Sequence, residues 1–285
     1  MSRAITGVDH TLVAVRDLEA ACAAYARLGF TVTPRGSHTS WDTANYCIMF
    51  GTGYIELIGP SGPGPAGYQP LDDFLARREG LMGLAFASPD AHATYAALAE
   101  AGLEPSPPED LARNLELPGG TVEPRFKLVR LPASATPALS AFICHHLDPD
   151  MVRRPEWLNH ANGARALTGI TTVVPSPPAL AAAYIRLLGA GAATLTDDIL
   201  TVRAGPTTLI FATPEDVGRL YPDLEDAPAG DAPLTVAMTI AVEDIGRVAG
   251  ILDDNSVPYS REGHRAITVA PEDACGALLE FVRGK

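Results

Sequence analysis

The chain lacks most of what would tie it to a nucleic acid, a membrane or a disulfide scaffold. Its 285 residues carry 21 Lys and Arg against 34 Asp and Glu, for a formal net charge of -13. The longest basic runs are the pairs Arg77-Arg78 and Arg153-Arg154, too short for a phosphate footprint, and an acidic surface repels nucleic acid and anionic lipid. No apolar run approaches the ~18 residues of a membrane span. The four cysteines, Cys22, Cys47, Cys144 and Cys275, stand apart with no paired spacing, which excludes a disulfide framework and a zinc knuckle. The opening MSRAITGVDH has no apolar core of signal-peptide length. A cytoplasmic location with reduced thiols is expected, with Cys22 and Cys47 as core thiols. Aromatic residues are scarce, at 6%, so helices must pack on small side chains.

What is present is a globular composition, 47% hydrophobic, at a length comfortable for two cores, and a pattern that recurs four times. A β-rich run is followed by a polar break, an alanine-rich helix and further strands. The first copy runs from VDHTLVAV through LEAACAAYARLG to FTVTPRG, ANYCIMFG and GYIELIG, with Asp17 as helix cap and Gly29 at its left-handed end. The second opens at Gly80 with LMGLAFAS, continues with a helix capped by Asp90, and ends in PRFKLVRLP and ALSAFICHH. The third opens near Thr168 and the fourth near Pro233. Loops over 60–70, 148–164 and 218–233 separate the copies. The expected fold is α+β: four βαβββ modules paired into two cup-shaped domains, residues 1–163 (modules one and two) and 164–285 (modules three and four). Sequential units usually lie side by side, which favours the pairing of one with two.

Alternation along a strand puts His10, Leu12 and Ala14 on one face of the first strand and Thr11, Val13 and Val15 on the other. The β-branched set should pack on the helix, leaving His10 toward the cup. In GYIELIG, Tyr54, Glu56 and Ile58 share a face. A glutamate in an apolar strand is costly unless partnered. A histidine and a glutamate on one concave surface are reasonable ligands for zinc, nickel, manganese or iron; alternatively they hydrogen-bond each other or the backbone.

The first-strand His10 in VDHTLVAVRDL and the last-strand Glu56 in GYIELIG resemble the ligand positions of the vicinal-oxygen-chelate superfamily. The run SHTSWDTANYCIMFGTGYIELIG resembles its glyoxalase-like domain subgroup, a mostly bacterial type, in which a His precedes a Gly-Thr-x-Asn segment and a Tyr-x-Glu-Leu strand. Here His38, Thr43 and Asn45 match, and Asp42 stands where the glycine is usual. HANGA at 160–164 resembles a further segment. The resemblance implies a cup-centred divalent metal that chelates adjacent oxygens and stabilises an oxyanion or enediolate.

Superposing the four copies puts His10, Gly83, Ile170 and Ala237 at the first-strand position and Glu56, Cys144, Ile210 and Glu280 at the last-strand position. Only the first copy holds both ligand types, which disfavours methylglyoxal isomerisation and extradiol dioxygenase chemistry. The expected metal set is His10, Glu56 and His146, with His38 and Glu56 in catalytic roles. Trp41, Thr43, Asn45, Tyr54, Phe142 and Cys144 would form the substrate pocket, joined by Met49. The expected activity is that of a metal-dependent isomerase, lyase or hydrolase on a small oxygenated molecule. A metal-free sequestering protein of the bleomycin-resistance type is the alternative. No nucleic-acid or membrane partner is expected, and a homodimer is left open. Glu280 reads as a polar residue at an edge strand, and His92 and His264 read as solvated. Trp157 and His160 either close over the cup or pack the domains together.

Overall fold

A computed structural model describes residues 4–222, 224 and 233–284; the expected 218–233 connection lies partly outside them. The first module comprises β1 (Gly7–Ala14), α1 (Leu18–Arg27), β2 (Gly36–His38), β3 (Thr43–Phe50) and β4 (Gly53–Pro60). A short α2 (Gln69–Leu75) leads into the second, made of β5 (Gly80–Ala87), α3 (Ala91–Glu100), β6 (Glu109–Leu117), β7 (Gly120–Val122), β8 (Arg125–Arg130) and β9 (Ala141–His146). After α4 (Pro149–Val152) the third module is β10 (Ala164–Val173), α5 (Ala181–Leu188), β11 (Ala193–Thr196), β12 (Ile199–Ala204) and β13 (Thr207–Ala212). Then α6 (Pro214–Leu220) precedes the fourth, β14 (Leu234–Val242), α7 (Ile245–Asp254), β15 (Ser260–Glu262), β16 (Ala266–Val269) and β17 (Leu278–Arg283).

Local chemistry explains the helix starts. Asp17, Asp90 and Asp244 accept hydrogen bonds from first-turn amides of α1, α3 and α7, each cap contributing about 1 kcal/mol. Gly29 takes φ 86° after α1, where a Cβ would be strained.

Two sheets result. The first runs β2-β3-β4-β1-β5-β9-β8-β6-β7, and β2 also pairs with β6, which closes it into a cup. The second runs β11-β12-β13-β10-β14-β17-β16-β15, without a closing pair among the described residues. Each sheet has at its centre two antiparallel first strands, β1 with β5 and β10 with β14, each flanked by the parallel last strand of its own module. Modules one and two therefore share one sheet, and modules three and four the other.

The ladder corrects two of the superposed positions. Glu56 pairs with Leu12, two residues after His10. By the same offset Cys144, paired with Ala87, points to Ala85, and Ile210, paired with Thr171, points to Gly169. Gly83 and Ile170 are thus displaced, the second by a single residue, which moves it to the opposite face. Ala237 keeps its place. Glu280 is not at an edge, because β17 lies between β14 and β16.

The halves meet through matching devices. Tyr25 of α1 and Tyr184 of α5 are entirely buried; the Tyr25 hydroxyl donates to Ala274 O at 3.4 Å and the Tyr184 hydroxyl to Pro137 O at 3.0 Å. Each bond thus crosses to the other half. Backbones touch at Gly80, whose Cβ would lie 2.5 Å from Gly276 O. His160 receives the Thr31 N–H on Nδ1 at 3.0 Å and donates from Nε2 to Met49 O at 2.9 Å, while Arg247 of α7 donates to the His160 and Ala161 carbonyls. His160 therefore packs the halves together. Trp157 does not pack the halves together: it is buried with Cys47, Met49, Tyr54 and Leu115 of the first half, over one end of the first cup. Cys47 is buried, but Cys22 is only half-buried. His92 and His264 are exposed.

Candidate functional site

The first cup holds a cavity of about 70 Å³ between two apolar caps. One cap is the Trp157 cluster. The other is α2, whose Leu71, Phe74 and Leu75 pack on Leu12, Ala14 and Ile58. His10, His38, Trp41, Asn45, Tyr54, Glu56, Phe142 and Cys144 line the cavity. Met49 and Thr43 do not: Met49 belongs to the Trp157 cap, and Thr43 supports His38 from behind. A broader depression of about 800 Å³ lies elsewhere, around Arg77, Met82, Leu139 and Leu234, and holds none of these groups.

At the centre, His10 and Glu56 are both buried. His10 stacks on Tyr54, ring centres 4.4 Å apart. Its Nδ1 lies 2.8 Å from Asp9 Oδ2 and its Nε2 lies 3.4 Å from Glu56 Oε2. Glu56 Oε1 accepts from Asn45 Nδ2 at 2.5 Å and lies 3.9 Å from His38 Nε2. His38 Nδ1 is 2.7 Å from Thr43 Oγ1. The His38, Thr43 and Asn45 segment thus converges on Glu56.

Asp9 is the residue that alternation misses. The β1–β5 register shifts between Val8 and His10; this bulge lets neighbouring residues reach one side of a strand. Opposite it, Gly53 has no room for a Cβ, which would lie 2.9 Å from Asp9 O. Asp9 Oδ2 also meets His146 Nε2 at 2.8 Å, and Oδ1 accepts from Arg153 at 2.9 Å. The expected grouping of His146 with His10 and Glu56 is therefore not what the side chains do, because Asp9 stands between them. His145 faces away and accepts from the Ala91 N–H.

Arg113 on β6 was also missed. It is buried in the cavity wall, and its backbone partner across the cup closure is His38. The signal in the sequence is the alternation Leu111, Arg113, Leu115 within an otherwise charged stretch.

Burial favours the neutral form of each acid, but for Asp9 the His10 and His146 hydrogen bonds outweigh it and hold the carboxyl far below its usual range. Glu56 is likewise pushed up by burial, yet lowered overall by His10, His38 and Arg113. Burial lowers His38 to about 4 against the pull of Glu56, so its ring is neutral. The Cys144 thiol is raised well above 9.0 by burial and by Asp9 and Glu56.

Two donor groups result. Asp9, Cys144 and His146 bring one donor atom each within 4.8 Å of one another, a set that could hold a metal ion. There, however, Asp9 is already bonded to two imidazoles and paired with the Arg153 guanidinium. In the second group, Asp9 holds the Nδ1 edge of His10, which leaves Nε2 turned toward the Glu56 carboxylate. An imidazole nitrogen and a carboxylate oxygen 3.4 Å apart are the two donor types that divalent metals take side by side. Asp9, Thr43 and Asn45 steady His10, His38 and Glu56, as outer partners do at metal centres.

The glyoxalase-like domain model matches residues 8–188. The chain belongs to the glyoxalase-like domain family, within the vicinal-oxygen-chelate superfamily. No curated protein matches it at a significant level. Among solved structures, a hypothetical protein from Staphylococcus aureus shares 10% identity at a TM-score of 0.68, with 97% of this chain and 99% of that one covered. A xylose isomerase-like TIM barrel/4-hydroxyphenylpyruvate dioxygenase fusion protein shares 14% at 0.57, over 99% of this chain and 49% of that one. A mutant of 4-hydroxymandelate synthase from Streptomyces coelicolor shares 13% at 0.56, covering 98% and 92%. At these identities the likeness is one of fold, which does not carry activity with it. Glyoxalase-like folds bind small molecules. Among the described residues no helix is long and apolar enough to cross a membrane.

Proposed function

We propose that this glyoxalase-like protein is a metal-dependent enzyme that takes a small oxygenated molecule into the first cup and stabilises its oxyanion or enediolate. The observation that carries this reading is the facing pair His10 Nε2 and Glu56 Oε2, with the other His10 nitrogen already committed to Asp9. His10, Glu56 and His38 would hold the ion, with His38 in place of His146. A bound zinc, nickel, manganese or ferrous ion would supply Lewis acidity toward a substrate oxygen. Glu56 is the group that can accept a substrate proton, and Asn45 fixes its orientation. The apolar caps exclude water, and Tyr54 and Phe142 shape the walls. This chemistry covers isomerase, lyase and hydrolase reactions.

A second reading has its own support. Two imidazoles and one carboxylate are also the ligand set of ferrous oxygenases, and two of the similar folds are named for a dioxygenase and a synthase of aromatic acids. Oxygen consumption on adding a substrate would favour it.

Elemental mass spectrometry of untagged wild type, His10→Ala and Glu56→Ala decides whether a metal is involved. We expect near-stoichiometric metal in wild type and affinity at least ~100-fold weaker in both folded variants. Wild type that stays metal-free after reconstitution with all four ions would overturn the proposal and leave a small-molecule binding protein.

A further inference from the structure

Arg113 is a buried guanidinium that no carboxylate pairs with directly among the described residues; Glu56, in the same cavity wall, acts on it only at longer range. Its one hydrogen bond among them runs from Nη1 to Cys47 Sγ at 3.3 Å. Sulfur is a weak acceptor. Nε is buried and has no partner. The side chain is 4% exposed, and its charged carbon lies 5.8 Å from the centre of the Phe126 ring, which holds the plane against one wall. A charge taken out of water this far is costly unless something meets it, and Arg113 lines the cavity. The other cation in that wall, Arg130, is already held by Glu109 at 3.2 Å.

We propose that Arg113 anchors a carboxylate, and that the molecule admitted to the first cup is a small organic monoanion. The inference rests on the reading that this cavity is the functional site. One free guanidinium matches one carboxylate, with two parallel N–H donors to two oxygens. A phosphate dianion would need a second cation, and Arg130 is committed to Glu109. Because β6 pairs with β2 at Arg113 and His38, the carboxylate sits beside the His38 and Glu56 end. The apolar remainder lies along Phe126, Phe142 and Trp41.

The test is binding to metal-stripped protein, followed by calorimetry, with acetate and its uncharged analogue acetamide as probes, which match the size of the cavity. Metal content does not enter the readout, so this proposal and the metal assignment fail separately. In wild type the acid should bind ~30- to 100-fold more tightly than the amide. Arg113→Met should remove that preference, and Arg113→Lys should keep part of it. Equal binding of both probes, no binding of the acid at ~10 mM, or a preference that survives in Arg113→Met would each overturn the proposal. Thermal melts supply a readout independent of any ligand. A binding arginine replaced by an apolar side chain of similar length leaves the melting temperature unchanged or higher. A fall that Glu56→Gln reverses would make Arg113 a structural counter-charge, and the proposal would be wrong.

Discussion

The two cups are built on one ladder plan and filled differently. In the first, the inward positions beside the central strands hold His10 with Glu56 on one side and Ala85 with Cys144 on the other, around a cavity. In the second they hold Gly169 with Ile210 and Ala237 with Glu280. There Tyr221, at the end of α6, reaches inward to Thr171 Oγ1 at 3.0 Å, and Thr239 donates to Glu280 at 2.8 Å. Val217 and Tyr221 pack on Val173, Leu234 and Leu278 as α2 packs on the first cup. On the proposed function, a fold that needs two sheets for its core needs only one of them for chemistry. The other is free to fill its centre with a tyrosine and threonines, which satisfy each other's hydroxyls.

That contrast breaks most severely if the halves are forced apart. Gly80 has φ 116°, and a Cβ there would lie 2.5 Å from the Gly276 carbonyl oxygen. Both the backbone conformation and the contact exclude a side chain, so Gly80→Ala should cost ~3 kcal/mol or more. Both tryptophans, Trp41 and Trp157, lie in the first half, so their fluorescence reports that cup alone, while far-ultraviolet circular dichroism reports both. We expect the two urea transitions to shift together to lower denaturant. Separate transitions would mean that the second cup folds independently and is no mere buttress.

The repeat carried the fold because each module needs a partner to bury its strands, and that need imposes the same pattern four times. Facing of His10 and Glu56 is legible because alternation is strict where β1 and β4 run in register. Asp9 is hidden by the bulge, which no alternation rule anticipates. Arg113 is hidden because EDLARNLEL reads as a polar connection; only the closing pair with β2 turns it inward. The caps α2 and α6 only overlap the ends of the expected loops at 60–70 and 218–233 and otherwise fall in stretches the repeat leaves unassigned, since seven residues carry too little periodicity to reveal a helix.

A smaller effect concerns the seam. His160 accepts the Thr31 N–H on Nδ1 and donates from Nε2, so it must be neutral in the folded protein. Burial is the main cause of its lowered pKa, with Met49 opposing and Arg165 assisting. Unfolded histidine titrates near 6.5. The stability from the neutral ring is therefore fully present above that pH and is lost as pH falls toward the lower folded value. Melting temperatures of wild type should drop between about pH 7 and pH 5, and His160→Gln should flatten part of that slope. An unchanged slope would place the acid sensitivity in the first cup instead of the seam.

The smallest effect is in the second cup and has the opposite sign. Glu280 is pushed up mainly by burial; Thr239 opposes this through its hydrogen bond and Glu262 adds to it. A carboxyl whose folded value is raised penalises folding once both states are ionised, and the penalty fades as pH falls through the folded value toward the unfolded one. Glu280→Gln keeps an acceptor for Thr239 without the charge. It should raise the melting temperature at pH 7 by about 1–2 °C and change nothing at pH 4, where the unfolded carboxyl is itself largely protonated. The same exchange at Glu56 runs the other way, since that carboxylate is lowered by His10, His38 and Arg113. A second cup that also lost stability on Glu280→Gln would be holding its charge for a purpose, and the division between a cup with a cavity and a filled one would have to be abandoned.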